Sequence, residues 1–254
     1  MNISAVVLVK NSEATLEKTL TSLSEFNDVV VYDNGSTDDS IRIAKKFTNV
    51  NLIKGEFLGF GRTKNAAASY AANDWILIID SDEVVDEELL EILKKKELDK
   101  NCVYRLNFRA FYKNIEVKRC GWNNQKIKRL YNKNITSYNE KDVHEDIITN
   151  SLRVENLDGN VEHYSYQSIS QFIAKADVYS TLFAKNNVGK KSSSPAKAFF
   201  NATYSFFRTY VLKKGFLDGY VGLVIAVSHA VTNFYKYVKL YELNKELKNE
   251  SANR

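Results

Sequence analysis

Cysteine is scarce in this chain, and that shortage already excludes one class of protein. Two cysteines, Cys102 and Cys120, make no disulfide framework, so they read as ordinary thiols in a reducing compartment. Proline is scarcer still. The single one, Pro195, follows Ser192-Ser193-Ser194 and reads as the first residue of a helix capped by Ser194. No basic leader with a small-residue cleavage site precedes the first strand-like run, Ile3–Val9, which predicts a protein that stays on the cytoplasmic side. No uninterrupted apolar run is long enough to cross a bilayer, and no internal repeat is evident. A dominant charge is missing too. Thirty-six Lys and Arg against 31 Asp and Glu leave +5, too little for a dedicated nucleic-acid binder and suited to an enzyme with an anionic substrate or surface nearby. What the chain does have is apolar mass. At 44% hydrophobic over 254 residues it can bury one large α/β domain, or a domain with an appendage.

The first hundred or so residues alternate strand-like and helix-like segments, the βαβ signature of a mostly parallel sheet. Strands are expected at Ile3–Val9, Val29–Tyr32, Val50–Ile53 and Trp75–Ile79. Leu16, Leu20 and Leu23 mark one helix; the turn Asn34-Gly35-Ser36 is expected to open the next, with Ser36 as its N-cap. Thr63–Ala72 and the stretch from Asp86-Glu87-Glu88 to Lys94-Lys95-Lys96 are further helices, the latter with acid first and base last, as the macrodipole favours. From residue 103 the pattern changes to period-two alternation, with strands expected at 103–108, 127–131 and 161–164, and beyond Ser168 it is helical. The expected division is 1–100 and 101–165, the two halves of one α/β domain, followed by 166–254, a helical extension.

Asp80-Ser81-Asp82 directly follows the wholly apolar run Trp75-Ile76-Leu77-Ile78-Ile79. Such a strand is covered on both faces, and its end is where open α/β sheets bind ligands. Two carboxylates there are hard oxygen donors suited to a Mg²⁺ or Mn²⁺ ion carrying a diphosphate; alone, they more often describe a solvated acidic turn. Arg62, Lys64 and Asn65 open a helix where cations oppose the dipole, which a bound diphosphate would relieve. Asp33 ends the second strand and either shapes its own turn or presents a carboxylate.

In order along the chain, residues 7–11 (Val-Leu-Val-Lys-Asn), Asp33-Asn34-Gly35-Ser36-Thr37-Asp38, Gly59-Phe60-Gly61-Arg62-Thr63-Lys64-Asn65, Asp80-Ser81-Asp82 and Val143-His144-Glu145 resemble the motifs of family 2 glycosyltransferases. The resemblance covers roughly the first 165 residues and implies a catalytic domain there, with 1–100 as the nucleotide-sugar-binding half and 101–165 as the acceptor-facing half. It implies the GT-A fold: a Rossmann-like, nucleotide-sugar-binding α/β domain with a mixed central sheet flanked by helices, here with a C-terminal helical extension. One subgroup is especially similar, the bacterial lipopolysaccharide and lipooligosaccharide core glycosyltransferases, including β-1,4-glucosyltransferases that act on heptose.

The resemblance implies roles as well. Asp33 would contact uracil, Arg62, Lys64 and Asn65 the diphosphate, and Asp80 the ribose or the metal's water. Asp82 would coordinate Mg²⁺ or Mn²⁺, with His163 as a further ligand or a structural histidine. Glu145 would be the base of an inverting transfer, with Asp146 as the alternate. Trp122 and Arg129, in Gly-Trp and Arg-Leu segments like the subgroup's, would serve the acceptor side, Trp122 by stacking on a sugar face and Arg129 by holding a phosphate or ordering the base loop, although Asn123-Asn124 stands where an aspartate is expected; core packing accounts for Trp122 equally well. Implied partners are a UDP-hexose, glucose in the simplest case, and a glycolipid or oligosaccharide acceptor, with no nucleic acid. The aromatic, lysine-flanked tail suits a headgroup layer, the catalytic domain or a second copy as its covering. Rival readings are another surface polysaccharide or lipid-linked acceptor, a sugar nucleotidyltransferase, and a non-catalytic nucleotide-binding module.

Overall fold

The computed structural model describes residues 1–123, 125–140 and 145–252. They form two compact units, Met1–Arg109 with Asn124–Tyr164, and Ala110–Asn123 with Ser165–Arg254.

In the first unit, β1 (Ile3–Val9), β2 (Val29–Asp33), β3 (Val50–Lys54) and β4 (Trp75–Asp80) run parallel in the order β3-β2-β1-β4. Side chains alternate between faces along a strand, and here both faces are covered. Ile76 and Ile78 join Val6 and Val30 beneath Ala67 and Ala68 of α3 (Phe60–Ser69). Leu77 and Ile79 join Val7 and Val31 beneath α1 (Leu16–Ser22), α2 (Ser40–Ala44) and α4 (Glu87–Lys95). The unbroken apolar character of β4 follows directly from this double burial.

The sheet then turns antiparallel. β8 (Gln125–Asn132) pairs with β4, and β6 (Cys102–Tyr112) pairs with β8. β9 (Arg153–Tyr166) follows, and the three-residue β5 (Glu83–Val85) closes that edge antiparallel to β9. This mixed sheet flanked by helices is the architecture the resemblance implies. β5 is too short to carry a period and is not legible in the sequence.

One expected cap is corrected. Ser36 does not open a helix; its hydroxyl accepts the Asn11 amide N–H, and the side chains of Asn11 and Glu13 take the amides of Thr37 and Asp39. With residues 36–39 held by the loop after β1, α2 begins only at Ser40.

The second unit holds the hairpin of Ala110–Tyr112 with β7 (Ile115–Val117), then α5 (Ile169–Asn187), α6 (Pro195–Phe207), a π turn (Arg208–Leu212), a 3₁₀ turn (Gly215–Asp218) and α7 (Gly219–Ala252). Ser194 accepts the Lys197 amide N–H with Pro195 at the first helical position, as expected, and Ser168 caps α5 in the same way. Cys102 and Cys120 are buried and unpaired. The sequence contains no unbroken apolar run of spanning length, yet the segment Gly215–Glu250 forms one helix long and apolar enough to cross a membrane by length and composition. Isolated polar residues, Ser228, His229, Thr232 and Asn233, interrupt the run without lowering its average hydropathy far enough.

Candidate active site

Strand register builds the site. Val9 lies opposite Asp33 and Leu8 opposite Asp80, so the two aspartates stand on either side of β1 at the carboxyl edge of the parallel strands. Open α/β sheets take ligands at that edge. A cleft of about 410 Å³ opens there, bordered by Leu8, Val9 and Lys10 of β1 and the loop after it, by Asn34, by Asp80 and Ser81, and by Phe57 and Phe60.

The acidic turn is rigidly held. The Ser81 hydroxyl lies 2.7 Å from that of Ser12, and its carbonyl accepts from the Thr19 hydroxyl. The Tyr164 amide donates to the Asp82 carbonyl, and the pairing of Glu83 with His163 sets β9 beside the turn. That pairing brings His163 Nε2 within 3.4 Å of Asp82 Oδ2.

Beneath the turn lies a buried charge cluster. Arg129, 5% exposed, donates to Asp80 Oδ2 at 2.8 Å and to Glu83 Oε1 at 2.6 Å, while Glu83 Oε2 accepts the Asp80 amide N–H. Burial raises the Asp80 carboxyl, but Arg129 and then Lys64 outweigh it, so Asp80 is held well below the ordinary carboxylate range. Glu83 moves the other way. Burial raises it, Arg129 opposes, and the neighbouring Asp80 charge adds to the rise. Two acids sharing one guanidinium are thereby made unequal, and Asp80 is the one that stays ionised at the cleft. Burial lowers His163, but its hydrogen bond to Asp82 and the charges of Asp82, Glu83 and Asp80 win, leaving it raised.

On α3, Arg62 is exposed on the first turn, whereas Lys64 is buried and reaches Glu145 Oε1 at 2.8 Å. Asn65 clamps the backbone of Tyr138, donating to its carbonyl and accepting its amide, each at 2.9 Å. Lys64 and Asn65, expected at a diphosphate, thus make protein contacts that fasten the segment carrying Glu145. Asp146 is paired with Lys128 at 2.6 Å and is more exposed than Glu145, 54% against 21% for the side chains. Val143 and His144 of the Val-His-Glu motif, and Asn124, lie outside the described residues. Asp33 is buried, and its carboxylate accepts the amides of Gly35 and Ser36, the Asx-turn arrangement.

Arg129, expected at the acceptor, spends its guanidinium on Asp80 and Glu83 instead. Trp122 belongs to the second unit, stacked on Tyr166 with ring centroids 5.4 Å apart and beside Phe172, so it contributes to an aromatic core.

The donors for a cation are few. Among the described residues no three His, Cys, Asp or Glu side chains are grouped to hold a metal unaided. Asp82 and His163 nevertheless offer two donors 3.4 Å apart, close to the roughly 3 Å between neighbouring ligands of an octahedral ion with bonds near 2.1 Å. The carboxylate is the donor an ion of the Mg²⁺ type takes, one or two per site with substrate phosphate and water completing the shell, whereas the imidazole is a softer donor that Mn²⁺ accepts more readily than Mg²⁺.

Residues 4–158 match the family model described as Glycosyl transferase family 2. The chain belongs to that family. An uncharacterised glycosyltransferase of Rickettsia typhi is 31% identical over 265 residues, covering 98% of this chain and 90% of its own length. A lipopolysaccharide core biosynthesis glycosyltransferase of Rhizobium meliloti, LpsC, is 25% identical over 249 residues, covering 94% and 92%. Among solved structures, S. aureus TarS in complex with UDP-GlcNAc aligns with a TM-score of 0.46 and 18% identity over 98% of this chain and 92% of that one.

Several residues of this family 2 site escape a reading by sequence. Glu83 and Ser81 look like ordinary members of an acidic turn until the buried Arg129 and Ser12 are seen beside them. Phe57 and Phe60 are half-exposed, edge to face at 5.0 Å, on either side of Gly59, whose φ of +93° turns the chain there. Exposed aromatics at the lip of a cleft offer a face for a nucleobase or sugar. Gly61 carried a legible signal without a legible reason. A Cβ at this position would lie 1.9 Å from the Asn139 carbonyl oxygen and 3.5 Å from the Glu145 Cβ. Gly61→Ala is therefore expected to force α3 and the Glu145 segment apart, costing about 1–3 kcal/mol and several degrees of melting temperature, with turnover falling more than donor binding. An unchanged melting curve and turnover would show that the close approach is not required.

Proposed function

We propose that this family 2 enzyme is an inverting, metal-dependent hexosyltransferase that moves glucose from a UDP-sugar to a saccharide of bacterial lipopolysaccharide or lipooligosaccharide core. The observation that carries the reading is the pairing of an ionised Asp80 and a donor-bearing Asp82 at the sheet edge with Glu145, fastened by Lys64, whose charge also acts on Asp80. The likeness to the core glycosyltransferase of Rhizobium meliloti supports the acceptor class. Another surface polysaccharide or lipid-linked acceptor is the alternative within the same chemistry.

In this reading Asp33 and Asn34 border the base, Phe57 or Phe60 stacks on it, and Arg62 and Lys10 face the diphosphate. Asp82, with His163 beside it, would hold Mg²⁺ or Mn²⁺, which when bound would neutralise charge gathering on the departing nucleoside diphosphate. Glu145 accepts the proton of the acceptor hydroxyl as that oxygen attacks the anomeric carbon from the side opposite the leaving group. Lys64 keeps the Glu145 carboxylate from turning away, a positioning role; Asp146, tied to Lys128, is the alternate base. The acceptor is carried on a lipid, so the second unit works in contact with a membrane surface, singly or as a homodimer.

A thermal-shift series with UDP-glucose, UDP-GlcNAc and GDP-mannose, each with and without Mn²⁺, tests the donor and the metal together. A ligand present at about a hundred times its Kd stabilises the native state by about 2.7 kcal/mol, a rise of several degrees. The expected result is a rise with UDP-glucose that needs the cation. No rise with any uridine nucleotide, or one indifferent to the cation, would defeat this reading.

A further inference from the structure

The small net charge of the chain conceals a strong asymmetry. The second unit, residues 110–123 and 165–254, has sixteen Lys and Arg against six Asp and Glu, a net of +10, so the first unit carries −5. The basic unit also turns apolar side chains outward. On α7 and the turn before it, Phe216, Tyr220, Leu223, Val227, Val231 and Phe234 recur at helical spacing and are 37–59% exposed. Val221 and Ile225, on the other side, are buried. On α6, Phe199, Phe200 and Tyr204 are each more than 60% exposed. In an ordinary surface helix the apolar stripe faces the core; here a second stripe faces out.

At the far end of α7 a cleft of about 570 Å³ is bordered by Lys190, Lys191, Lys245 and Lys248 and, among the described residues, by no acid. All four lysines are exposed. A concave surface with four ammonium groups and no bordering acid among the described residues suits phosphate-bearing headgroups.

We infer that the second unit docks on the surface of an anionic bilayer, its aromatic stripe entering the headgroup layer and the four-lysine cleft taking lipid phosphate. This deepens the lipid-linked reading given above but rests on charge and exposure alone, not on the catalytic assignment. Two observations select this occupant. A second copy would bring +10 against +10, which disfavours pairing through this unit. A spanning α7 is opposed by its polar middle, where His229 Nδ1 meets the Thr209 hydroxyl at 3.1 Å and Asn233 donates to Ser205, tying one face to the preceding helices. An interfacial helix buries one face in lipid and keeps the other on protein or water.

The test is co-sedimentation of the full chain with phosphatidylcholine vesicles, with and without phosphatidylglycerol, at low and high salt. Binding is expected to be about tenfold or more stronger on the anionic vesicles, to weaken with salt and to be released by alkaline extraction. Changing Lys190, Lys191, Lys245 and Lys248 together to Gln is expected to remove most of that preference, while F200S with L223S weakens binding to both vesicle types; UDP-sugar hydrolysis in solution stays unchanged in each. Equal binding to neutral and anionic vesicles, resistance to alkaline extraction, or no vesicle binding alongside a dimer that F200S with L223S dissociates would each overturn the proposal. A loss of hydrolysis in the wild type with vesicle binding intact would instead count against the catalytic reading alone.

Discussion

Asp82→Ala is expected to abolish sugar transfer while leaving the fold in place. The side chain is about one-third exposed, its one described side-chain contact is His163, and the Tyr164 amide is held by the Asp82 backbone carbonyl, which the substitution keeps. Little packing is lost, so the melting temperature should stay within about 2 °C, as for a surface change of about 0.5 kcal/mol. Activity is a different matter. Losing an electrostatic anchor for the departing diphosphate removes stabilisation present chiefly in the transition state, on the order of 4 kcal/mol, or about a thousandfold in kcat. The cation-dependent part of the thermal shift should vanish together with turnover. Transfer within tenfold of wild type would remove Asp82 from the proposed site.

Glu145→Gln separates binding from chemistry. The amide keeps the length of the side chain and an oxygen that can still accept from Lys64, but it cannot take a proton. Turnover should fall by about 10² to 10⁴, with UDP affinity unchanged within about threefold, a shift of about 0.7 kcal/mol. Stability should fall as well, because Lys64 is buried and loses its counter-charge. Breaking a fully buried pair costs about 3–5 kcal/mol; here the cost should be smaller, since Glu145 is partly open to solvent and the Asp80 charge still acts on Lys64. Single-turnover rates and titration calorimetry with UDP, taken well below the lowered melting temperature, read the two effects separately. Asp146→Asn is the control. If it, rather than Glu145→Gln, halts turnover, the base has been assigned to the wrong member of the pair.

The charge cluster beneath the cleft shows why part of the site resists a reading from sequence. Asp80 and Asp82 are visible because they interrupt an apolar strand, and local contrast is what periodicity detects. Glu83 differs from them in nothing local. Its distinct role comes from Arg129, 46 residues away on β8, and from burial, which raises one acid while the shared guanidinium holds the other down. Lys64 makes the same point. At the start of a helix an isolated lysine suggests a ligand anion, but the tertiary structure supplies a protein anion instead, Glu145. Arg129 and Trp122 were legible as unusual residues, yet their partners, Asp80 with Glu83 and Tyr166 with Phe172, could be identified only from packing.

What the sequence determined by itself was every element whose cause is local. The parallel strands announce themselves by apolar runs, unbroken in β2 and β4 up to their closing aspartates, the helices after them by 3.6-residue spacing or alanine content, and the start of α6 by a serine that caps its own next turn. Five motifs in order along the chain, from residues 7–11 through Asp80-Ser81-Asp82 to Val143-His144-Glu145, carried its resemblance to family 2 glycosyltransferases. Tertiary structure alone decided the rest. It set β5 against β9, so that His163 meets Asp82, and it turned an apolar stripe of α7 outward in a unit of net +10. The physical reason is range: backbone preference and amphipathic period act over a few residues, whereas ion pairing, burial and electrostatic potential depend on which distant segments the fold brings together.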